Sequence, residues 1–519
     1  MSYKPSSLLT VNDTSSESME LNLDSSYDDI HANDSRDDTD SNWDQTFIDF
    51  IESSDIVPVL TKFRQLCEER ELILGYMKNV FPVLEYKLAG RISFRYRELF
   101  HLLSTRGSKI EYQNVKSAED KKALVIGAGP CGLRMAIELL FLGVDVTVME
   151  ARPYFDRNNV IKLWNFVMED LKTLGAKKIY PQLGTGSVNH VSIRVLQTIL
   201  LKIALILGAK VRTNEKFKRV QEPSDKRKWT SVSEVKDDKG KVIENEEEFD
   251  IIVCAAGRNV PLEGFERKSL DAKLSIAITA NFMNKKTPEE RKVKEIPGLS
   301  RQYDQEFFKS LLQEKNIRLE NIVYYQNDTH YFVMTAKKDS LLQKGVILDD
   351  QQDRNKILKP ENIDKKKLEV FAKEAALFST KYYSKELPNR PFAKWKGEND
   401  VSIFDFTNVY SSKNASRLKT KDGHSLLLSL VGDSLIEPFW PEGTGIGRGF
   451  LSVFDTAWMI RRYLSNDNHY EVVREREKLY SLLRQTGDDK LKGNYKSWSI
   501  DPVTRYTTTT FHFNQACYV

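Results

Sequence analysis

Two glycine-rich stretches, far apart in the chain, have the residue types and spacing that chemistry would need. In "ALVIGAGPCGLRMAIELL", Gly127, Gly129 and Gly132 follow an apolar run and lead into a helical pattern, and Glu150 closes the next apolar run. In this spacing the first glycine permits a tight turn, the second lets backbone approach a pyrophosphate, and the third lets helix and strand pack closely. The helix N-terminus adds unpaired N–H groups and a positive dipole. Glu150 can accept hydrogen bonds from ribose hydroxyls, which favours FAD or NAD over NADP. Arg152, Arg157 and Asn159 leave FAD and NAD undecided, because an arginine near the ribose could also meet a 2′-phosphate. The second stretch, "LVGDSLIEPFWPEGTGIGRGF", sets Asp433 at the end of an apolar run, then Phe439, Trp440 and Glu442, then Gly443, Gly445, Gly447 and Gly449 before a helix. Its rings suggest a partner larger and flatter than a phosphate.

The elements that must position these residues follow from periodicity. The first stretch reads as strand, loop, helix, strand, the βαβ unit of a dinucleotide fold. In flavoprotein hydroxylases a second strand ending in Gly-Asp places its aspartate on the ribityl chain, and the next helix points its N-terminus at the flavin. Asp433 and the helix after Gly443 fit that plan, which turns the choice toward FAD. The expected fold is α/β, a Rossmann-like FAD-binding domain with an inserted, mostly antiparallel β-sheet subdomain of the p-hydroxybenzoate hydroxylase kind. Helical additions are expected at both ends. Residues 1–42, rich in Ser, Asp and Asn, read as a disordered acidic tail. Residues 43–265 read as N-terminal helices and the first part of the FAD-binding domain, with a long helical region reaching Ala209. Residues 266–403 read as the inserted β-rich part, and 404–519 as the second part with C-terminal helices. "VLQTILLKIALILGA", interrupted by Gln197 and Lys202, reads as a half-buried helix.

The totals bound the partners. With 519 residues and 40% apolar content the chain can bury sizeable cores. A net charge of +4, from 78 basic and 74 acidic residues, gives no bulk argument for nucleic acid or membrane. Cys67, Cys131, Cys254 and Cys517 form no CxxC pair and no metal cluster, a usage that fits a reducing cytosol. No apolar run reaches the length of a membrane span. The stretch "EYKLAGRISFRYRELFHLLSTRG" reads as a basic helical region carrying Lys87, Arg91, Arg95, Arg97 and Arg106.

The glycine stretches, with "NVIKLWNF", "IAITANF", "LENIVYYQNDTHYFVMTAKK" and "IDPVTRY", resemble the flavin monooxygenase domain of the MICAL family from about Phe47 to Tyr506. The resemblance implies an FAD-bound, NADPH- and O2-dependent monooxygenase that oxidises methionines of actin to the sulfoxide and disassembles filaments. It implies cofactor contacts at Cys131, Glu150, Arg152, Arg157, Asn159, Phe217, Tyr331 and Asp433, and Trp440 beside the flavin ring. It also implies a cytoplasmic, cytoskeleton-associated protein, with the nucleus an alternative. The family's calponin-homology, LIM and coiled-coil segments are not expected in this chain. The basic residues, with Lys492 and Lys496, could meet the acidic surface of actin. Lys162 and Asn165 stand where the family has His and Pro, and Glu442 stands where an apolar residue is expected. The competing readings are an NADPH oxidase releasing H2O2, a hydroxylase of a small aromatic, or a flavin-bound scaffold without turnover.

Overall fold

The computed structural model describes residues 43–68, 80–113, 115, 118–184, 189–225, 227–236, 240–271, 276–405, 408–438, 443–465, 467–485 and 490–507. The tail at residues 1–42 and the loop residues Phe439, Trp440, Pro441 and Glu442 lie outside them, as does Cys517.

Four helices come first: α1 (Trp43–Glu52), α2 (Ile56–Glu68), α3 (Val80–Leu88) and α4 (Phe94–Gly107). Apolar residues three and four apart give α1 and α2 one buried face each, so Phe47, Phe50, Val59 and Phe63 enter the main core. The basic stretch is not one helix. It breaks between α3 and α4, where Gly90 takes a φ of 78° that suits a helix end.

The chain then alternates through β1 (Lys122–Ile126), α5 (Pro130–Phe141), β2 (Asp145–Glu150), β3 (Val160–Lys162), α6 (Asn165–Thr173), β4 (His190–Ser192), α7 (Ile193–Ile206) and β5 (Lys210–Thr213). After β5 come β6 (Glu215–Gln221), β7 (Thr230–Lys236), β8 (Val242–Glu248) and β9 (Ile251–Cys254). The long helical region expected up to Ala209 is instead two helices and an antiparallel ribbon, β3 with β4. Three-residue strands are too short to show a period.

The next segment holds β10 (Arg267–Asp271), β11 (Ile276–Met283), β12 (Ile296–Ser300), α8 (Gln305–Lys315), β13 (Leu319–Gln326), β14 (Thr329–Ala336) and α9 (Lys365–Tyr383). It continues through β15 (Lys394–Trp395), β16 (Glu398–Asn399), β17 (Val401–Asp405) and β18 (Asn408–Ser412). β19 (Ser416–Lys421), β20 (His424–Leu430), α10 (Gly445–Leu464) and α11 (His469–Leu483) follow. Shorter helical turns are left unlabelled.

Two sheets result. The first has the order β19-β20-β9-β1-β2-β5, parallel except for the edge strand β19. Runs such as "IIVC" are buried along their whole length, as strands covered on both faces must be. The second, β12-β13-β14-β11-β17, is antiparallel and has its own core, to which α8 and α9 contribute Phe307 and Phe371. The ribbon β10–β18 carries the chain out of the first sheet and back.

α7 differs from the half-buried helix expected. Twelve of its residues are buried, Gln197 and Lys202 included. Lys202 Nζ donates to the carbonyls of Ile51, Ser53 and Tyr180 at 2.5, 2.6 and 2.6 Å, so the charge that marked the helix as partly exposed is satisfied inside. Among the described residues, no helix is long and apolar enough to cross a membrane, and no His, Cys, Asp and Glu group could hold a metal.

Candidate active site

At the first loop, β1 and β9 run side by side and end together. Gly127 has a φ of 102°, and a Cβ on it would stand 2.7 Å from Ala255 O. A Cβ on Gly132 would stand 1.9 Å from Gly127 O, so protein packing alone demands both glycines. Gly129 is different: a Cβ there would meet nothing within 4 Å. It is the N-cap of α5, without a side-chain cap, and Pro130 follows it at the first turn. Open space beside uncapped N–H groups and a positive helix end suits a diphosphate. Glu150 Oε2 accepts the Ala128 N–H at 2.9 Å, and Oε1 accepts the Arg152 N–H at 3.0 Å and its Nε at 2.9 Å. Burial pushes the Glu150 carboxyl up, but Arg152 and the two backbone N–H groups outweigh it and hold the pKa below its ordinary value. Glu150 is thus an ionised acceptor at the end of β2, and Arg152 braces it.

At the second loop, Gly432 N–H donates to Ser452 Oγ at 2.9 Å, and Ser452 Oγ donates to Gly449 O at 2.6 Å. Ser434 Oγ donates to Gly257 O at 2.9 Å. These bonds tie the turn at Asp433 to α10 and to the end of β9. The Asp433 side chain is exposed at a turn with much protein close around it, the condition of a residue lining a cleft. Loss of water and the negative Glu437 push its carboxyl up to about 6, against the positive charges of Arg157 and Arg267. Glu437 is itself paired with Arg267 at 2.9 Å and Arg258 at 3.1 Å.

The glycines that begin α10 correct the expectation that they open the helix end to a ring. A Cβ on Gly445 would stand 2.9 Å from Pro438, one on Gly447 2.7 Å from the Trp164 ring, and one on Gly449 2.5 Å from Cys131 Sγ. All three make room for protein. Gly443, with a φ of 63°, accepts from Trp164 Nε1 at 3.2 Å through its carbonyl. Cys131 thereby packs at the crossing of the two loops, since a Cβ on Gly432 would also lie 3.0 Å from its sulfur. Buried Thr444 Oγ1 and Arg448 Nε have no hydrogen-bond partner among the described residues, as expected where a bound group completes a site. The uncapped helix, the space at Gly129 and the cleft at Asp433 fit FAD.

The ribbon β3–β4 joins the two sheets. Asn159 Nδ2 donates to Tyr331 Oη at 3.0 Å, and Tyr331 clusters with Val160, Val323, Tyr325 and Val333. Beside them Asn158 and Asn281 both donate to Asp400 Oδ2, at 2.8 and 2.9 Å. Lys162 pairs across the ribbon with His190 and reaches the second loop, its Cβ 3.9 Å from where a Cβ on Gly443 would be. His190 stacks on Tyr325 with centroids 4.0 Å apart and bonds Glu295 at 2.9 Å. Asn165 lies at the start of α6.

The expected site residues therefore fall into connected groups. Gly127, Gly129, Gly132, Cys131, Glu150 and Arg152 form the first loop, Arg157 and Asp433 share a field, and Asn159 and Tyr331 bond at the joint. Phe217 is buried in the main core on β6. Trp440 is outside the described residues. Sequence reading missed Ser434 and Ser452, which shape the second loop, and Gln197, which donates to Ala128 O at 3.0 Å behind the first. The last had a signal, a polar residue inside an apolar helix. The basic patch also changes: Arg91, Arg95 and Arg97 are exposed, but Arg106 is 4% exposed and bonds Tyr112 and Glu138.

Comparison with known proteins gives relatives over most of the chain. The family description "Mical, Rossman domain" matches residues 274–405, which make the antiparallel sheet with its helices rather than the parallel one. The chain is 46% identical over 468 residues to protein-methionine sulfoxide oxidase mical3a of Danio rerio, across 89% of this chain and 23% of that one. It is 45% identical over 471 residues to F-actin monooxygenase MICAL3 of Mus musculus, across 89% and 23%. With F-actin monooxygenase mical1 of Danio rerio the identity is 45% over 462 residues, across 89% and 37%. The chain thus spans well under half the length of these curated relatives. A solved flavin-dependent halogenase, CmlS, aligns with a TM-score of 0.46 at 17% identity, over 70% of this chain and 62% of that one. Over about nine tenths of its length the chain is matched by MICAL proteins, and it carries the MICAL flavoprotein monooxygenase domain.

Proposed function

We propose that this domain binds FAD and, with NADPH and O2, oxidises methionine side chains of actin filaments to the sulfoxide, promoting disassembly. The observation that carries the proposal is 46% identity across 89% of the chain to a relative named protein-methionine sulfoxide oxidase. The balance is NADPH, a proton, O2 and a thioether giving NADP+, water and a sulfoxide. Bound FAD would supply the electron transfer and oxygen activation. Glu150 would accept from the adenosine ribose, the α5 N-terminus at Gly129 and Cys131 would hold the diphosphate, and Asp433 would accept from the ribityl hydroxyls. Arg157, whose charge already reaches Asp433, would balance the phosphates. The Asn159–Tyr331 bond and the Asp400 cluster hold the antiparallel sheet against the cleft, which keeps water from one side. A thioether suits such a site because its sulfur is nucleophilic without a general base.

Exposed Arg91, Arg95 and Arg97 surround Phe94, itself 73% exposed, a basic face suited to an acidic filament. That partner would place the protein with the cytoskeleton, in the cytoplasm or the nucleus. Mass spectrometry of filaments incubated with protein, NADPH and catalase tests the reading. Sulfoxide confined to particular methionines is the expected result. Sulfoxidation abolished by catalase would mean released H2O2 instead, and no NADPH consumption at full FAD occupancy would mean a scaffold.

A further inference from the structure

Beside α10, which contributes Phe454, α4, α6 and the C-terminal segment line a recess of about 290 Å³. Its wall is aromatic. Phe166 lies against Trp498 with centroids 4.9 Å apart, and Tyr495 stands edge-on to Trp498 at 5.1 Å. The C-terminal segment that supplies Tyr495 and Trp498 is fixed to α10, because Arg505 Nη1 donates to buried Asp455 at 2.6 Å and Tyr506 Oη donates to it at 3.0 Å.

The floor and mouth carry Arg106, Lys109 and Lys496 together with the carboxylates of Glu169 and Asp170. Buried Arg106 and Arg134 face two carboxylates, Glu138 and Asp170, and these four charges balance. Arg106 Nη1, at the recess, has only the Thr173 hydroxyl, at 3.5 Å, the outer limit of a hydrogen bond. Glu169 on the rim is paired with Lys172. Lys109 and Lys496 line the recess and make no ion pair among the described residues. Burial, then the neighbouring Arg106, holds the Lys109 ammonium below its usual pKa, against the opposing pull of Glu111, Asp170 and Glu138.

We propose that this recess is a second binding site, for a small planar aromatic anion such as an aryl carboxylate. The ring would lie among Phe166, Tyr495 and Trp498, and the anionic group would meet Lys109, Lys496 and the free edge of Arg106. Rings favour offset or edge contact with such walls, and a carboxylate takes charge-assisted bonds from ammonium and guanidinium groups. The volume matches one or two fused rings.

The test is 19F NMR on flavin-loaded protein with 4-(trifluoromethyl)benzoate as probe and 4-(trifluoromethyl)benzyl alcohol as its neutral counterpart. The benzoate is expected to bind saturably without shifting the flavin absorbance spectrum, and the alcohol far more weakly. In the Lys109→Gln/Lys496→Gln double variant, whose changes are at the mouth and leave the core intact, affinity for the benzoate falls about tenfold or more. Equal affinity in the double variant, equal binding of the alcohol, no binding of the benzoate, or binding that perturbs the flavin spectrum would each overturn the proposal. None of these readouts depends on turnover or on actin.

Discussion

The two glycine loops look alike in sequence and owe their glycines to different causes. In the first, Gly127 and Gly132 avoid backbone at 2.7 and 1.9 Å, and Gly129 has no protein neighbour within 4 Å to explain it. In the second, Gly445 answers to nearby Pro438, and Gly447 and Gly449 answer to Trp164 and Cys131, residues remote in sequence. The first loop is built by its own βαβ unit against the end of β9 and leaves one position for a ligand. The second is a packing junction, and its ligand-facing role falls on Asp433 and on Gly443 beside Lys162. A glycine pattern thus shows where backbone comes close to something, and not what that something is.

The sharpest way to separate the loops acts on what backs the second. Asp455→Ala strands the Arg505 guanidinium in the core behind α10, and we expect a loss of about 3–5 kcal/mol in urea unfolding; a loss under about 1 kcal/mol would show that α10 is held without the C-terminal segment. Next is the contrast inside the first loop. Gly132→Ala should destabilise by about 3 kcal/mol, whereas Gly129→Ala should leave stability within about 0.5 kcal/mol and weaken flavin retention about tenfold. Equal stability losses in both would mean that Gly129 is a packing glycine too. Smaller again is Gly449→Ala, expected to lose about 1–3 kcal/mol, most of it recovered when Cys131→Ala removes the sulfur it meets. A double-mutant cycle without coupling would break the junction reading.

The smallest effect is one of pH. Asp433 has a folded pKa of about 6, above its unfolded value, so its proton contributes stability that is fully present below about pH 4 and lost as pH rises through 6. In flavin-free protein Asp433→Asn should raise the melting temperature at pH 7.5 and leave it nearly unchanged at pH 4. Equal effects at both pH values would mean that Asp433 does not carry the charge cost.

The first loop was legible because its glycines and Glu150 lie within one βαβ unit, although Ala255, which crowds Gly127, does not. Strand, spacing and Glu150 could be read together, although the bracing of Glu150 by Arg152 could not. The second loop was legible as strand, turn and helix, but Trp164 and Cys131 reach it only through tertiary packing. The ribbon β3–β4 escaped notice because its strands show no period, yet it brings Asn159 to Tyr331 and Lys162 to Gly443. Arg106 looked like one of a row of surface charges; its partners Glu138 and Asp170 come from helices that only the fold brings together.

Lys202 has a consequence for where this folding unit can be cut. Two of its three acceptors, the carbonyls of Ile51 and Ser53, belong to the end of α1 and the turn after it. A fragment beginning at β1 would keep every residue of both glycine loops and yet hold an ammonium facing a missing wall. The first helix and the turn after it are therefore no detachable prefix: they supply two of the three carbonyls that Lys202 meets inside the fold.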